Sequence, residues 1–499
     1  MKTENVSRAV LAGGAAAVLA ATALLYVPEL IGRNPPPPPG PAERAADAAH
    51  AGAQAALPDL AALIGDRETW LRAHPADDAS WAVLAAAYTE RGLRRADPAD
   101  LPRAEAAVKR SLAARGAAAG NLDAQIALAA LANARGDWAG AKVWGERVRK
   151  AAPKRWTAYP VLIDAYNGLG DYKAAGKATE TLTELHSGAA VSGRNAQLFR
   201  DRGWREDAGA TAQDAVALAE SGADKAAALT RLGDLAWERG EPAEAAAQYG
   251  AALGLVPEHG PALAGRARTH AALGRGRDAV RDWRAAVERL PLPEYLLEAA
   301  ELNESLGLDG DARALYERAR TVAGAPGAPW PGGEVALGLL DADHGDPADA
   351  VRLLRAAWGR GHRSVQVADA LGWALFRTGE PKEALPYAKR ATDEGLRSAL
   401  FSYHRGEIER ALEDYGPARR HLAEALRINP AFSPLLAPRA KEAVAALGDP
   451  PDELPKELPK EPRSEDPAAR QSSGAKANAS KPKASQGNGS RTGGGAARP

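Results

Sequence analysis

The residues able to attack a carbonyl, move a proton or hold a metal are scattered in this chain. There is no cysteine, which removes a thiolate nucleophile, a thiolate metal site and a lipid-modified N-terminal cysteine. The nine histidines include no His-x-x-x-His pair with the spacing of a zinc site. No Gly-x-x-x-x-Gly-Lys-Ser/Thr run cradles a phosphate. Gly274-Arg275-Gly276 opens no strand-linked loop. Asp341, Asp343 and Asp346 around Gly345 weakly resemble a calcium loop, but the carboxylate that should close it is missing. His404, Glu407 and Arg410 share a helical spacing, which favours a surface charge cluster over an acid–base pair. The chain is therefore expected to be no enzyme, with no cofactor, no metal and no small-molecule substrate evident.

What the sequence does contain is a period. Gly240, Gly274, Gly307, Gly345 and Gly379 recur at intervals of 34, 33, 38 and 34 residues. Each is followed five residues later by an alanine: Ala245, Ala279, Ala312, Ala350 and Ala384. Self-similarity at this period marks a helical repeat array. Within residues 226–258, Leu229, Leu232, Gly233 and Ala236 lie on one helical face. Gly240 and Pro242 break the helix, because glycine suits the left-handed residue ending one helix and proline the first turn of the next. Ala245, Tyr249 and Ala252 line the second helix, and Pro257 stops it.

This unit resembles the tetratricopeptide repeat. Tyr159, Leu162, Tyr166, Gly170, Asp171, Tyr172, Ala175 and Leu182 fit the same pattern, as do Asp414, Tyr415, Ala418, Leu422, Ala425 and Pro430. The resemblance implies an all-α helical solenoid of about ten helix–turn–helix repeats over residues 58–447. The turn positions are Gly92, Gly136, Gly170, Gly203, Gly240, Gly274, Gly307, Gly345, Gly379 and Glu413. The Glu413 turn is expected to differ slightly for want of glycine, and the first unit is lengthened around Arg94–Pro102. Residues 58–74 read as a leading half-repeat with Leu60, Leu63, Ile64 and Leu71 inward. Residues 432–447 read as a trailing cap with Leu435, Leu436, Val444 and Leu447 apolar. Such an array is expected to be elongated, each unit touching only its neighbours.

The resemblance also implies where a partner binds. In this family the first helix of each unit lines a concave groove through its second, fifth, ninth, twelfth and thirteenth positions. Carried onto this chain, these offsets give Trp237, Glu238, Arg268, Glu294, Glu301, Glu304 and Asp369. The last two units add Trp373, Phe376, Arg377, Tyr403, Glu407 and Arg410. Trp373, Phe376, Arg377, Tyr403 and Arg410 combine aromatics with arginine, the composition of binding hot spots, and are the expected partner-binding patch. Packing of Trp373 and Phe376 against the next unit is the alternative. The lysine and asparagine with which some relatives clamp a chaperone's C-terminal carboxylate are absent: those positions hold Asp164, Thr230, Asp234, Ala264 and Arg268.

The ends differ from the array. Residues 9–31 are apolar with no charge before Glu29, long enough to cross a bilayer. After a short N-terminal segment (1–8) they are expected to form a transmembrane signal anchor. A secretion signal cut after Ala21-Thr22-Ala23 and a soluble alanine-rich helix are the alternatives. An N-terminus held in the cytoplasm would put the array outside it, although the flanking charge bias is slight. Residues 32–57 are a Pro/Ala-rich spacer containing the run Pro35–Pro39, stiff as polyproline II. Residues 448–499 present no apolar face, cannot bury a core and are expected to be disordered. Six positive charges from Arg470 onward are too dilute for nucleic-acid recognition, and 64 basic against 64 acidic residues leave no net charge. The weight of Ala, Arg, Gly and Pro suits a GC-rich genome. The layout resembles membrane-anchored tetratricopeptide proteins of actinobacterial type. The expected function is a scaffold binding a peptide or protein partner at the cell membrane. An accessory subunit of an envelope, secretion or polysaccharide machine is the alternative, as is a secreted array.

Overall fold

A hairpin of two helices forms wherever the repeat places its turn glycine. The computed structural model describes residues 38–325 and 332–448; the apolar run 9–31 and the tail after Gly448, with the anchor and disorder expected there, lie outside the described residues. Helix Gly222–Glu238 ends where Gly240 turns left-handed at φ +76°. There the Gly240 N–H donates to Trp237 O and the Glu241 N–H to Ala236 O, both at 3.0 Å. These are the two bonds of a Schellman closure. Pro242 then opens helix Pro242–Leu255. The two helices close on Tyr249, fully buried, whose hydroxyl donates to Asp234 at 2.8 Å. A Cβ on Gly265 of the next unit would lie 2.2 Å from the Tyr249 ring, so that close approach requires glycine.

Ten such hairpins follow one another among the described residues, from Asp78–Arg95 with Asp100–Ala114 to Ala399–Ala411 with Tyr415–Ile428. Helix Leu57–Ala73 leads the array and buries Leu60, Leu63, Ile64 and Leu71, the four expected inward. Helix Leu436–Leu447 trails it, burying Leu436, Ala437, Ala440 and Ala443, while Leu435, Val444 and Leu447 are only partly buried. The described residues contain no strand, and none of their helices is long and apolar enough to cross a membrane.

Four local expectations change. Part of the expected spacer forms helix Pro41–Ala51, which buries Ala45 and pairs Arg44 with Asp59 at 2.6 Å. In the first unit the left-handed residue is Ala96, φ +50°, not Gly92. Gly92 lies inside its helix, where it lets Asp100 of the next helix approach. Glu413 takes the same left-handed conformation as the glycines, φ +62°, and closes the same bond, Asp414 N–H to Glu409 O. Gly345, with φ −145°, is the one that departs.

The array also coils back onto itself, so contacts are not confined to neighbouring units. The Val365 N–H donates to the Tyr172 hydroxyl at 2.7 Å across 193 residues, and Asn429 Nδ2 donates to Trp237 O at 2.8 Å across 192. Along this seam the turns of early units meet the connections between late ones. Gly170 lies against Arg363, Gly203 against Gly395 and Gly240 against Asn429, with Ala96 packed on Leu290. Turns lacking side chains let backbone meet backbone there.

Candidate functional site

The first helices of the units face the inside of the coil and are tied to one another by arginines. Arg194 Nη1 donates to Asp164 at 2.7 Å, Arg231 Nη1 to Gln197 at 3.0 Å and Arg200 Nη2 to Glu238 at 2.6 Å. Arg268 Nη2 meets Glu298 at 2.7 Å. Each link joins one unit to the next, so these groups hold the curvature.

Inside the coil lies a cavity of about 970 Å³. Its wall comes from the first helices of four consecutive units. Ala86, Glu90, Leu93 and Arg94 come from the first, Ala130, Asn133 and Ala134 from the second, Asp164 and Asn167 from the third, and Gln197 and Asp201 from the fourth. These are the groove offsets counted back from turn residues Ala96, Gly136, Gly170 and Gly203. The later coil supplies the opposite wall: Glu334, Val335, Ser364, Val365, Val367 and Leu396. Burial raises the Glu90 carboxyl despite Arg94, and raises Asp201 despite Arg200.

The concave face further on is acidic. Glu301 is partly buried and its carboxyl is pushed up to about 8, first by burial and then by Glu298, Asp343 and Glu304, with Arg439 opposing. Burial pushes Glu294 up to about 7. Glu294 Oε2 has no hydrogen-bond partner among the described residues, and Asp343 Oδ1 meets only the Arg377 guanidinium, at 3.4 Å.

The aromatic patch on the last two units is placed differently from its expectation. Trp373 and Tyr403 are 2% and 3% exposed. Trp373 donates to Asp343 at 3.0 Å and stacks on His404 at 4.1 Å, and Tyr403 packs on Phe432. Phe376 is partly buried against Trp373. These aromatics fill the space between units, as in the alternative weighed for Trp373 and Phe376. Arg377, bonded to Ala342 O, and Arg410, paired with Glu407 at 2.6 Å, remain exposed. His404 is no surface group: it is 1% exposed and bonds Asp369, itself buried, at 2.9 Å. Its Nε2 meets no hydrogen-bond partner among the described residues. The three aspartates around Gly345 diverge: Asp341 to Arg320, Asp343 to Trp373, and Asp346 to the Ala348 N–H.

No family model matches the sequence, and no curated protein matches it. Solved structures similar to this chain include a tetratricopeptide repeat protein from Parabacteroides merdae ATCC 43184, with TM-score 0.32 and 18% identity over 52% of this chain and 99% of that one. The APC/C hetero-tetramer Cut9–Hcn1 gives TM-score 0.37 and 14% identity over 79% and 83%. PilW, a type IV pilus biogenesis factor, gives 0.35 and 18% over 42% and 96%. Scores of this size carry no argument about function. The repeat assignment rests on this chain's own turns and hairpins.

Proposed function

We propose that this protein is a non-catalytic scaffold that holds an extended segment of a partner protein in the cavity inside the first four units. The observation that supports it is the cavity itself. Concave side chains of consecutive units line it, the next coil covers it, and its volume falls at the upper end of the range typical of ligand sites. Arg377 and Arg410, 37% and 44% exposed, offer a second, weaker contact on the last two units. The apolar run 9–31 would place the array at a membrane, on its outer side, where positioning a subunit of an envelope machine is one use of such a scaffold.

A photo-crosslinking residue at Val161, in the cavity wall, is expected to trap a partner in native membranes. The same residue at Val143, 50% exposed on a second helix, is expected to trap none. Loss of the Val161 product on filling the cavity with Ala130→Trp supports the reading. Trapping unaffected by Ala130→Trp moves the site elsewhere. Deleting residues 1–31 is expected to release the array from the membrane fraction, and an array that stays there removes the anchor.

A further inference from the structure

The seam keeps one register, and the register outruns the chain. With the ten hairpins counted in chain order, the Ala96 turn of unit 1 packs on Leu290, just before unit 7. The Gly170 turn of unit 3 meets Arg363 before unit 9, and the Gly203 turn of unit 4 meets Gly395 before unit 10. The Gly240 turn of unit 5 meets Asn429, which follows unit 10 and precedes the trailing helix. Each turn thus takes the connection six places on. For the turns of units 6 and 7 the described chain holds no such connection.

One repeat position shows what is left uncovered. Leu169, the residue before Gly170, is partly buried, and a Cβ on Gly361 of the covering connection would lie 3.7 Å from it. Leu273 and Leu306 hold the same position in units 6 and 7 and are 37% and 45% exposed, with Leu308 beside them at 41%. Leu306 comes within 3.3 Å of where a Cβ on Gly276 would stand, so the apolar row runs on from unit 6 to unit 7. A contiguous row of this kind marks an interaction surface.

The matching surface lies at the other end of the array. Connections opening units 3 to 6 are taken up by the chain's own leading segments. A Cβ on Gly52 would lie 3.0 Å from the Trp156 ring and 3.9 Å from Ala190, the Gln54 N–H donates to Asp224, and Arg94 lies beside His259. Connections opening units 1 and 2 are left bare: residues 72–76, 113–116 and 118–120 are exposed. Gly116, Ala118, Ala119 and Gly120 carry so little side chain that backbone can meet backbone, as it does along the seam.

We infer that this chain associates head to tail with a second copy of itself. The turn edge of units 6 and 7, centred on Leu306, receives the connections before units 1 and 2 of the next copy, and the seam continues from one copy into the other. The two edges differ, so every copy added leaves one edge of each kind free and the contact repeats.

The test uses the full chain in detergent, followed by sedimentation over a range of concentrations. The unaltered chain is expected to grow beyond a dimer as concentration rises. Leu306→Glu and Ala118→Glu each put a charge on one edge, and each variant alone is expected to sediment as a single chain. An equimolar mixture of the two is expected to form a dimer and nothing larger, because one intact edge of each kind remains. Both sites are exposed, so melting curves should match that of the unaltered chain; if Leu306→Glu melts early, Leu273→Glu on the same row replaces it. A chain that stays single at every concentration overturns the inference. So does association that survives both substitutions, as when the apolar run 9–31 drives it. Association of Ala118→Glu alone, which would mean that turn edges pair with each other, or a mixture that stays single, overturns it equally.

Discussion

The two halves of the array are built from one repeat and sit in different surroundings. In the early half, turns such as Gly170, Gly203 and Gly240 are covered by connections of the later coil. In the later half, a Cβ on Gly274, Gly307 or Gly379 would meet nothing within 4 Å, and Leu273, Leu306 and Leu308 are exposed on the same edge. The concave faces differ in the same sense. Glu90, Asp164 and Glu334 in the early cavity are paired with arginines, whereas Glu298, Glu304 and Asp343 crowd Glu301 further on. Identical hairpins thus acquire different roles from what the coil brings against them: the early half encloses a space, and the later half serves as its cover.

The sharpest way to break this comparison is to make one substitution in both halves. Gly170→Ala adds a Cβ 2.1 Å from Arg363 O. It is expected to cost the left-handed strain of about 1–2 kcal/mol and a further ~1–3 kcal/mol from forcing the seam apart. Gly274→Ala meets open space and is expected to show the strain alone. Equal losses in denaturant titrations would mean that the seam does not form in solution.

Overpacking inside a hairpin comes next. Ala245→Leu, at a fully buried site, is expected to cost roughly 1–3 kcal/mol. Its unit also touches the last connection through Asn429 and Trp237. Amide exchange should therefore rise near Asn429 as well as in adjacent units. Exchange that rises only in neighbours would restore a purely nearest-neighbour array.

Tyr172→Phe removes one hydrogen bond across the seam and is expected to cost about 0.5–1.5 kcal/mol. The Val365 amide gives a direct reading, since it donates to that hydroxyl. Its exchange should accelerate while amides around Gly274 stay unchanged.

A last test of the comparison is in pH. The folded Glu301 carboxyl is raised from its ordinary value to about 8. The unfolded chain therefore gives up that proton first, and the stability this group contributes at low pH is lost as pH rises from about 4.5 to about 8. Glu301→Gln should flatten that part of the stability profile. An unchanged slope would show that the later concave face is open to water and not crowded.

The sequence by itself determined the repeating hairpin. A glycine or its substitute at each turn, proline opening the next helix and small residues facing large ones are local requirements, met within a single unit. That is why Leu60, Leu63, Ile64 and Leu71 could be read as a leading helix's buried face. Even the groove offsets were legible: counted from the correct turn they find Ala86, Glu90, Asn133, Asn167 and Gln197. Their importance was not, because composition drew attention to the aromatics of the last two units, where Trp373 and Tyr403 are consumed by packing. Gly92 misled for a related reason, since a glycine needed for close approach looks the same in sequence as one needed for a left-handed turn. Only the tertiary structure decided that the coil closes, that Tyr172 meets Val365, and that four early units enclose a cavity. Curvature is the sum of small rotations at every unit interface, so contacts 193 residues apart leave no period, spacing or motif in the chain to announce them.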